Sequence, residues 1–370
     1  MQRTTAPRRR GSGRGTLWLS MVGALTALLL AACGGGSNMP TGAGSGSTGS
    51  GGTAVSGASS SQPPKMRNIK VAYAFISAET LPIWAAQDQK LYEKYGLQVE
   101  AVPLQTSAQV APAMTSGDVQ LALTTGTGEL EFDLSGGDHV IVAGYSNDMR
   151  YFLMTKPDVQ RVEDLRGKKI GITRHGGAID IAAHIFSERH GMEYGRDVAI
   201  IEMGTAQNQV AGLVAGSVDA AIVALPTNLL AEREGFKVLE DTKQLGVKNP
   251  TNVIAVRRSY LQSNPDVVRD YLKAHIEAVE LVRKDKALAV RLLGQGTNAD
   301  DQDLLEKSYD IWLQDLQDVP YPSPEAIQGA LDSIALTTPD AKNHKPSEFY
   351  DDSLVRELDQ AGFIKSVRGG

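Results

Sequence analysis

The sequence predicts an α/β protein of two lobes, joined by two extended crossings and finished by a run of helices. Three observations carry this. Short apolar strand runs alternate with helix-spaced segments from Asn68 onward, the pattern of strand-helix-strand units. The same order of strand, helix, glycine and strand returns about a hundred residues later. After Arg258 only helical spacing remains.

Residues 1–33 read as an export signal. Arg8-Arg9-Arg10 and Arg14 precede an apolar run from Leu17 to Ala32, shorter than the roughly 20 residues of a membrane span. Leu30-Ala31-Ala32-Cys33 resembles a bacterial lipobox, in which cleavage leaves Cys33 at the new N-terminus carrying lipid; the plainer alternative is a signal peptide with an incidental cysteine. Cys33 is the sole cysteine of 370 residues and cannot pair within the chain. Residues 34–65 are almost wholly Gly, Ser, Thr, Ala and Pro, a flexible tether by composition. Loss of the leader leaves 32 Lys and Arg against 43 Asp and Glu, a net charge of −11. Such an acidic body argues against nucleic acid as a partner.

In the body, residues 66–154 are the expected first part of lobe one. Asn68 to Ala74 predicts a strand, Phe75 to Thr80 a loop, and Leu81 to Tyr95 an amphipathic helix with Pro82 in its first turn and Gly96 at its end. Leu97 to Pro103, Ala108 to Thr115 and Gln120 to Thr124 follow as strand, helix and strand. Residues 155–250 are the expected lobe two, with Lys169 to Thr173, Ile179 to His190 and Val198 to Met203 repeating the plan. Met114 to Leu123 and Leu213 to Ile222 match most closely, each a helix end, a glycine stop and a buried strand. Tyr151 to Pro157 and Asn249 to Val256 are the expected crossings. Residues 251–370 return to lobe one and add helices over Pro265 to Lys286, Ala287 to Leu293, Asp301 to Leu313, Pro324 to Ala335 and Leu354 to Asp359. Two lobes on two crossings enclose a cleft, and open α/β sheets bind ligands beyond their carboxyl strand ends.

Four stretches, Ile76 to Ala86, Tyr95 to Glu100, Asp164 to Ile172 and Ala215 to Ala221, resemble the substrate-binding lipoproteins of ABC importers. More narrowly, they resemble the family that binds nitrate, sulfonates, taurine and thiamine pyrimidine precursors, which has the type II periplasmic binding protein fold. The likeness runs from Met66 to roughly Arg283 and is not specific for a ligand. It implies a lipid-anchored monomer in the cell envelope, facing the periplasm or exterior, that captures a small molecule by hinge closure. Delivery would be to a membrane permease powered by a separate ATPase, with no cofactor. Gly167-Lys168 lacks the upstream glycine of a nucleotide-binding loop, which fits that division of labour.

Candidate ligand contacts are the loops after lobe strands. Phe75, Ser77, Glu79 and Thr80 offer a ring, a hydroxyl, a carboxylate and either a ligand contact or a helix cap. Thr125, Gly126 and Thr127 present hydroxyls on open backbone, and Asn147 an amide before the first crossing. In lobe two, Arg174, His175, Gly176 and Gly177 place a guanidinium and helix-start amides where the family's pocket lies, suited to a carboxylate or sulfonate; Asp180 competes for the same groups. Pro226 and Thr227 form the expected facing wall. Glu79 and Glu129 favour an amine or protonated ring and Arg174 an anion, so a sulfonate or carboxylate and a pyrimidine-like heterocycle both stay open.

The rival class is an enzyme, because pyrimidine synthases of the thiamine pathway share this fold. Those carry a cysteine-rich motif, whereas the single cysteine here lies at position 33. The six histidines include no i, i+4 pair, and no nucleophile elbow occurs. A ligand sensor serving a membrane partner is the third reading.

Overall fold

The computed structural model describes residues 66–104, 107–176 and 178–369. The expected export signal, tether, Cys33 and Gly177 lie outside the described residues.

The described chain builds two mixed five-stranded sheets. Lobe one opens with β1 (Arg67–Tyr73), a 3₁₀ turn at Ala78–Thr80, α1 (Leu81–Asp88), α2 (Leu91–Lys94), β2 (Leu97–Pro103), α3 (Ser107–Ser116), β3 (Leu121–Thr124), α4 (Gly126–Leu134) and β4 (His139–Asp148). Lobe two comprises β5 (Phe152–Thr155), β6 (Lys169–Ile172), α5 (Ala178–Arg189), β7 (Ala199–Glu202), α6 (Ala206–Ala215), β8 (Ala220–Val223), α7 (Thr227–Arg233) and β9 (Lys237–Asp241). The chain returns through β10 (Lys248–Arg257) and ends in α8 (Arg258–Ser263), α9 (Pro265–Lys284), α10 (Lys286–Thr297), α11 (Gln302–Asp315), α12 (Pro324–Ile334), α13 (Ser353–Gln360) and α14 (Phe363–Arg368).

The sheets have equivalent orders, β2-β1-β3-β10-β4 and β7-β6-β8-β5-β9. In each, three strands run parallel and the strand entering from the other lobe, β10 or β5, lies antiparallel between its neighbours. The alternation of strands and helices had implied parallel sheets; the exchange of one strand makes both mixed. The expected crossings therefore shift. Tyr151 to Pro157 holds β5, already in the second sheet, and Asn249 to Val256 lies within β10 of the first. Lobe two's sheet thus begins at Phe152, inside the stretch assigned to lobe one.

The actual crossings are Met149 to Tyr151 and Thr242 to Val247, and they are laced to each other. The Thr242 hydroxyl donates to the Met149 carbonyl (2.8 Å) and accepts from the Tyr151 amide (2.8 Å), while the Met149 amide donates to the Val247 carbonyl (3.0 Å). Thr242 is wholly buried, so this lacing is shielded from water.

Helices cover both faces of each sheet, which is why the strands read as continuous apolar runs. In β1, Ile69 and Val71 face α1, α2 and α9, while Ala72, of opposite parity, faces α3. In lobe two, Ile170, Ile172 and Ile222 pack on α5, and Ala221 and Val223 on the opposite face near α6 and α7. The single helix expected over Leu81 to Tyr95 is broken: Lys90 takes a left-handed φ of 54° between α1 and α2. The break sets the Tyr92 ring flat against Tyr271 of α9, centroids 5.7 Å apart. Among the described residues no helix is long and apolar enough to cross a membrane.

Candidate functional site

A cavity of about 180 Å³ opens where the carboxyl ends of β1, β3 and β8 meet the first crossing and α11. The turn after β1 supplies Phe75, Ser77 and Glu79; the end of β3 supplies Thr125; β4 and β10 supply Ser146, Asp148, Thr251 and Asn252. The crossing adds Arg150 and Tyr151, the turn after β8 adds Ala224 and Leu225, and α11 with its exit adds Trp312, Asp315 and Leu316.

Charge is arranged as a ring of satisfied pairs. The Arg150 guanidinium lies 3.0 Å from Asp315 and 4.0 Å from Asp241, and Lys243 also reaches Asp315. Lys248 holds Asp148 at 2.6 Å. Three carboxylates and one guanidinium line the cavity, and the cation is already paired. Glu79 accepts a short hydrogen bond from the Ser77 hydroxyl. Burial raises its carboxyl above the ordinary range; the Ser77 bond opposes the rise, and Asp315 adds to it. Burial, aided by Glu79, pushes the Tyr151 phenol up to about 12.

Three buried polar atoms of the lining have no hydrogen-bond partner, Arg150 Nε among them. Asn252, 3% exposed, leaves its Oδ1 free, and Trp312, 5% exposed, its Nε1. Buried polar groups are nearly always hydrogen-bonded, so an unpaired acceptor and unpaired donors at one cavity suit it to a ligand that bonds to them.

The residues singled out from sequence separate into three sets. Phe75, Ser77, Glu79 and Thr125 line the cavity. Thr125 also caps α4, its hydroxyl accepting from the Gly128 amide at 3.3 Å. Pro226 lines an adjoining chamber, and Thr227 a groove beyond it.

A second set is spent inside the fold. The wholly buried Thr80 donates to the Phe75 carbonyl (2.7 Å) and does not cap α1 with its side chain. Gly126 is pressed against Pro250, where a Cβ would come within 2.4 Å of the ring. Thr127 donates to the Asn249 side-chain Oδ1 at 2.9 Å, and Glu129 pairs with His139 at 2.7 Å in the core. Asn147 was read as a loop residue but lies in β4. The twofold alternation of the strand puts Ser146 and Asp148 at the cavity and Asn147 on the other face.

The third set is the glycine turn of lobe two. Arg174 is exposed and outside the cavity lining, and its charge acts on Glu131 of α4. Two of the amides expected to face a ligand are already taken. Gly176 donates to Asp180 (2.9 Å) and His175 to Glu202 (2.6 Å), while the His175 ring contacts the Tyr194 hydroxyl at 3.0 Å. Sequence reasoning missed Arg150, Tyr151, Asn252 and Trp312. Trp312 sits on a regular apolar face of α11, a pattern that reads as core, so no signal marked it.

Among solved structures the chain is similar to the periplasmic aliphatic sulphonate binding protein of Escherichia coli (TM-score 0.66, 17% identity, covering 75% of this chain and 89% of that one). It is also similar to the periplasmic nitrate-binding protein of Synechocystis PCC 6803 (0.62, 17%, 81% and 90%). A third likeness is to the alkanesulfonate-binding protein of Xanthomonas axonopodis pv. citri bound to MOPS (0.59, 18%, 75% and 95%). No curated protein sequence matches. At these identities the likeness shows the fold, the two-lobed architecture of periplasmic binding proteins. The sequence profile described as NMT1/THI5 like matches residues 77–287, more than half of the 370 residues. The chain therefore belongs to the NMT1/THI5-like family.

Proposed function

We propose that the chain is an extracytoplasmic solute receptor that captures one small organic molecule between its lobes and passes it to the permease of an ABC importer. The observation that carries this reading is the set of unpartnered buried atoms, Asn252 Oδ1, Trp312 Nε1 and Arg150 Nε, at a cavity framed by both lobes and the Met149 to Tyr151 crossing. Family membership and a fold shared with proteins named for binding sulphonate and nitrate support it.

The charge around the cavity favours one ligand class over another. Arg150, Asp148 and Asp315 are held in ion pairs and Glu79 alone of the lining charges has no cationic partner, so a ligand offering hydrogen-bond donors or a positive end, such as a pyrimidine-like heterocycle, suits the cavity better than a free sulfonate or carboxylate. In this reading Ser77, Glu79, Thr125, Asn252 and Trp312 hold the ligand's polar groups, Phe75 packs on its face, and the laced crossings act as the hinge. Cys33 carries the lipid that anchors a monomer to the membrane, the chain has no catalytic role, and a separate ATPase drives transport.

The test is native mass spectrometry of purified protein offered a broad metabolite pool, followed by thermal shift and small-angle scattering. A single captured molecule that raises the melting temperature and compacts the protein is expected. No captured molecule and no thermal shift would overturn the reading.

A further inference from the structure

We infer that the ligand is elongated and amphipathic, with a polar head beside Glu79, Asn252 and Trp312 and an apolar tail in a second chamber. The inference rests on the receptor reading above and adds the shape of its ligand. A chamber of about 420 Å³ adjoins the polar cavity and shares Ser77, Glu79, Leu225 and Trp312 with it. Small-molecule sites usually enclose roughly 300–1,000 Å³. The polar cavity alone, at about 180 Å³, falls below that range, and the two together fall within it.

The second chamber is walled mainly by apolar side chains. Ile76 comes from the turn after β1, Pro226 and Leu230 from lobe two, and Leu304 and Leu305 from α11. Ile76 is 52% exposed and Leu230 38%, two of the few large apolar side chains left in water among the described residues. A single exposed apolar residue is ordinary. These two belong to opposite lobes and line one chamber, so a single bound alkyl or aryl group would cover both. Trp312 stands at the boundary of the chambers with an apolar ring and an unpartnered N–H, which matches the junction of a tail and a polar head.

The test uses two homologous probe series, n-alkylamines and n-alkanesulfonates from two to eight carbons, titrated calorimetrically into the purified protein. In the series whose head is accepted, affinity should rise about fourfold per methylene. Ile76→Asp and Leu230→Asp should abolish that dependence. Val214→Asp, at an exposed apolar site on α6 outside the chamber, should keep it. Binding that ignores chain length overturns the tail while leaving the receptor reading intact. If neither series binds, the molecule captured from the metabolite pool decides: one with an apolar tail supports the inference, and a compact polar one overturns it. No captured molecule at all removes both readings.

Discussion

The two lobes repeat one backbone plan, yet their corresponding turns use their polar groups in opposite ways. In lobe one, the turn after β1 spends Thr80 on its own carbonyl and leaves Ser77 and Glu79 at the cavity. In lobe two, the turn after β6 is closed by its own acids, with Asp180 on the Gly176 amide and Glu202 on the His175 amide. The amides of His175 and Gly176 there are satisfied before any ligand arrives. A duplicated fold thus does not duplicate a site; binding capacity stays with the groups that folding leaves unpaired.

The largest expected effect contrasts the glycine that starts α4 in lobe one with the glycine of the lobe-two turn. Gly126→Ala drives a methyl into Pro250, where the nearest ring carbon would lie at 2.4 Å, and should destabilise by about 2–3 kcal/mol in denaturant unfolding. Gly176→Ala meets nothing within 4 Å and pays only for its left-handed φ of 72°, about 1 kcal/mol. Equal losses would show that the start of α4 is no more tightly held than the lobe-two turn.

Removing the acid that closes the second turn sharpens the contrast further. Asp180→Ala should cost about 1–2 kcal/mol of stability, as loss of a helix-start acceptor does, with unchanged affinity for the captured ligand. A large fall in affinity would return the lobe-two turn to the binding site. Asn252→Leu should do the reverse. It relieves an unpaired buried acceptor, stabilising the free protein by up to about 1 kcal/mol, and lowers ligand affinity about tenfold.

The smallest effect is on pH dependence. Glu79 has a raised carboxyl in the folded state, so its contribution to stability is full below the ordinary Glu value and is lost as pH climbs through the raised one. Glu79→Gln should therefore flatten the melting temperature of the ligand-free protein across that weakly acid window and leave it higher at neutral pH. A variant that melts lower at neutral pH would mean that the charged form is stabilised in the fold.

Local pattern made much of the architecture legible. The strand runs at Leu97–Pro103 and Lys169–Ile172, and the glycine stops at Gly96, Gly117 and Gly216, depend on neighbours in sequence and were readable there. The strand β4 was missed although His139–Asp148 carries an apolar run, because its polar end, Ser146 to Asp148, read as a loop. The break at Lys90 was also invisible, since no glycine or proline marks it.

By itself the sequence determined the two-lobed α/β plan, its helical tail and the turn that carries Ser77 and Glu79, because periodicity and turn chemistry are local. Only the tertiary structure decided the rest. It exchanged a strand between the sheets, faced Ser146 and Asp148 inward, set Trp312 of α11 against a turn more than two hundred residues away, and let Asp180 and Glu202 take the Gly176 and His175 amides that looked free. Which polar groups remain for a ligand depends on which ones distant partners have already satisfied, and no local spacing records those partners.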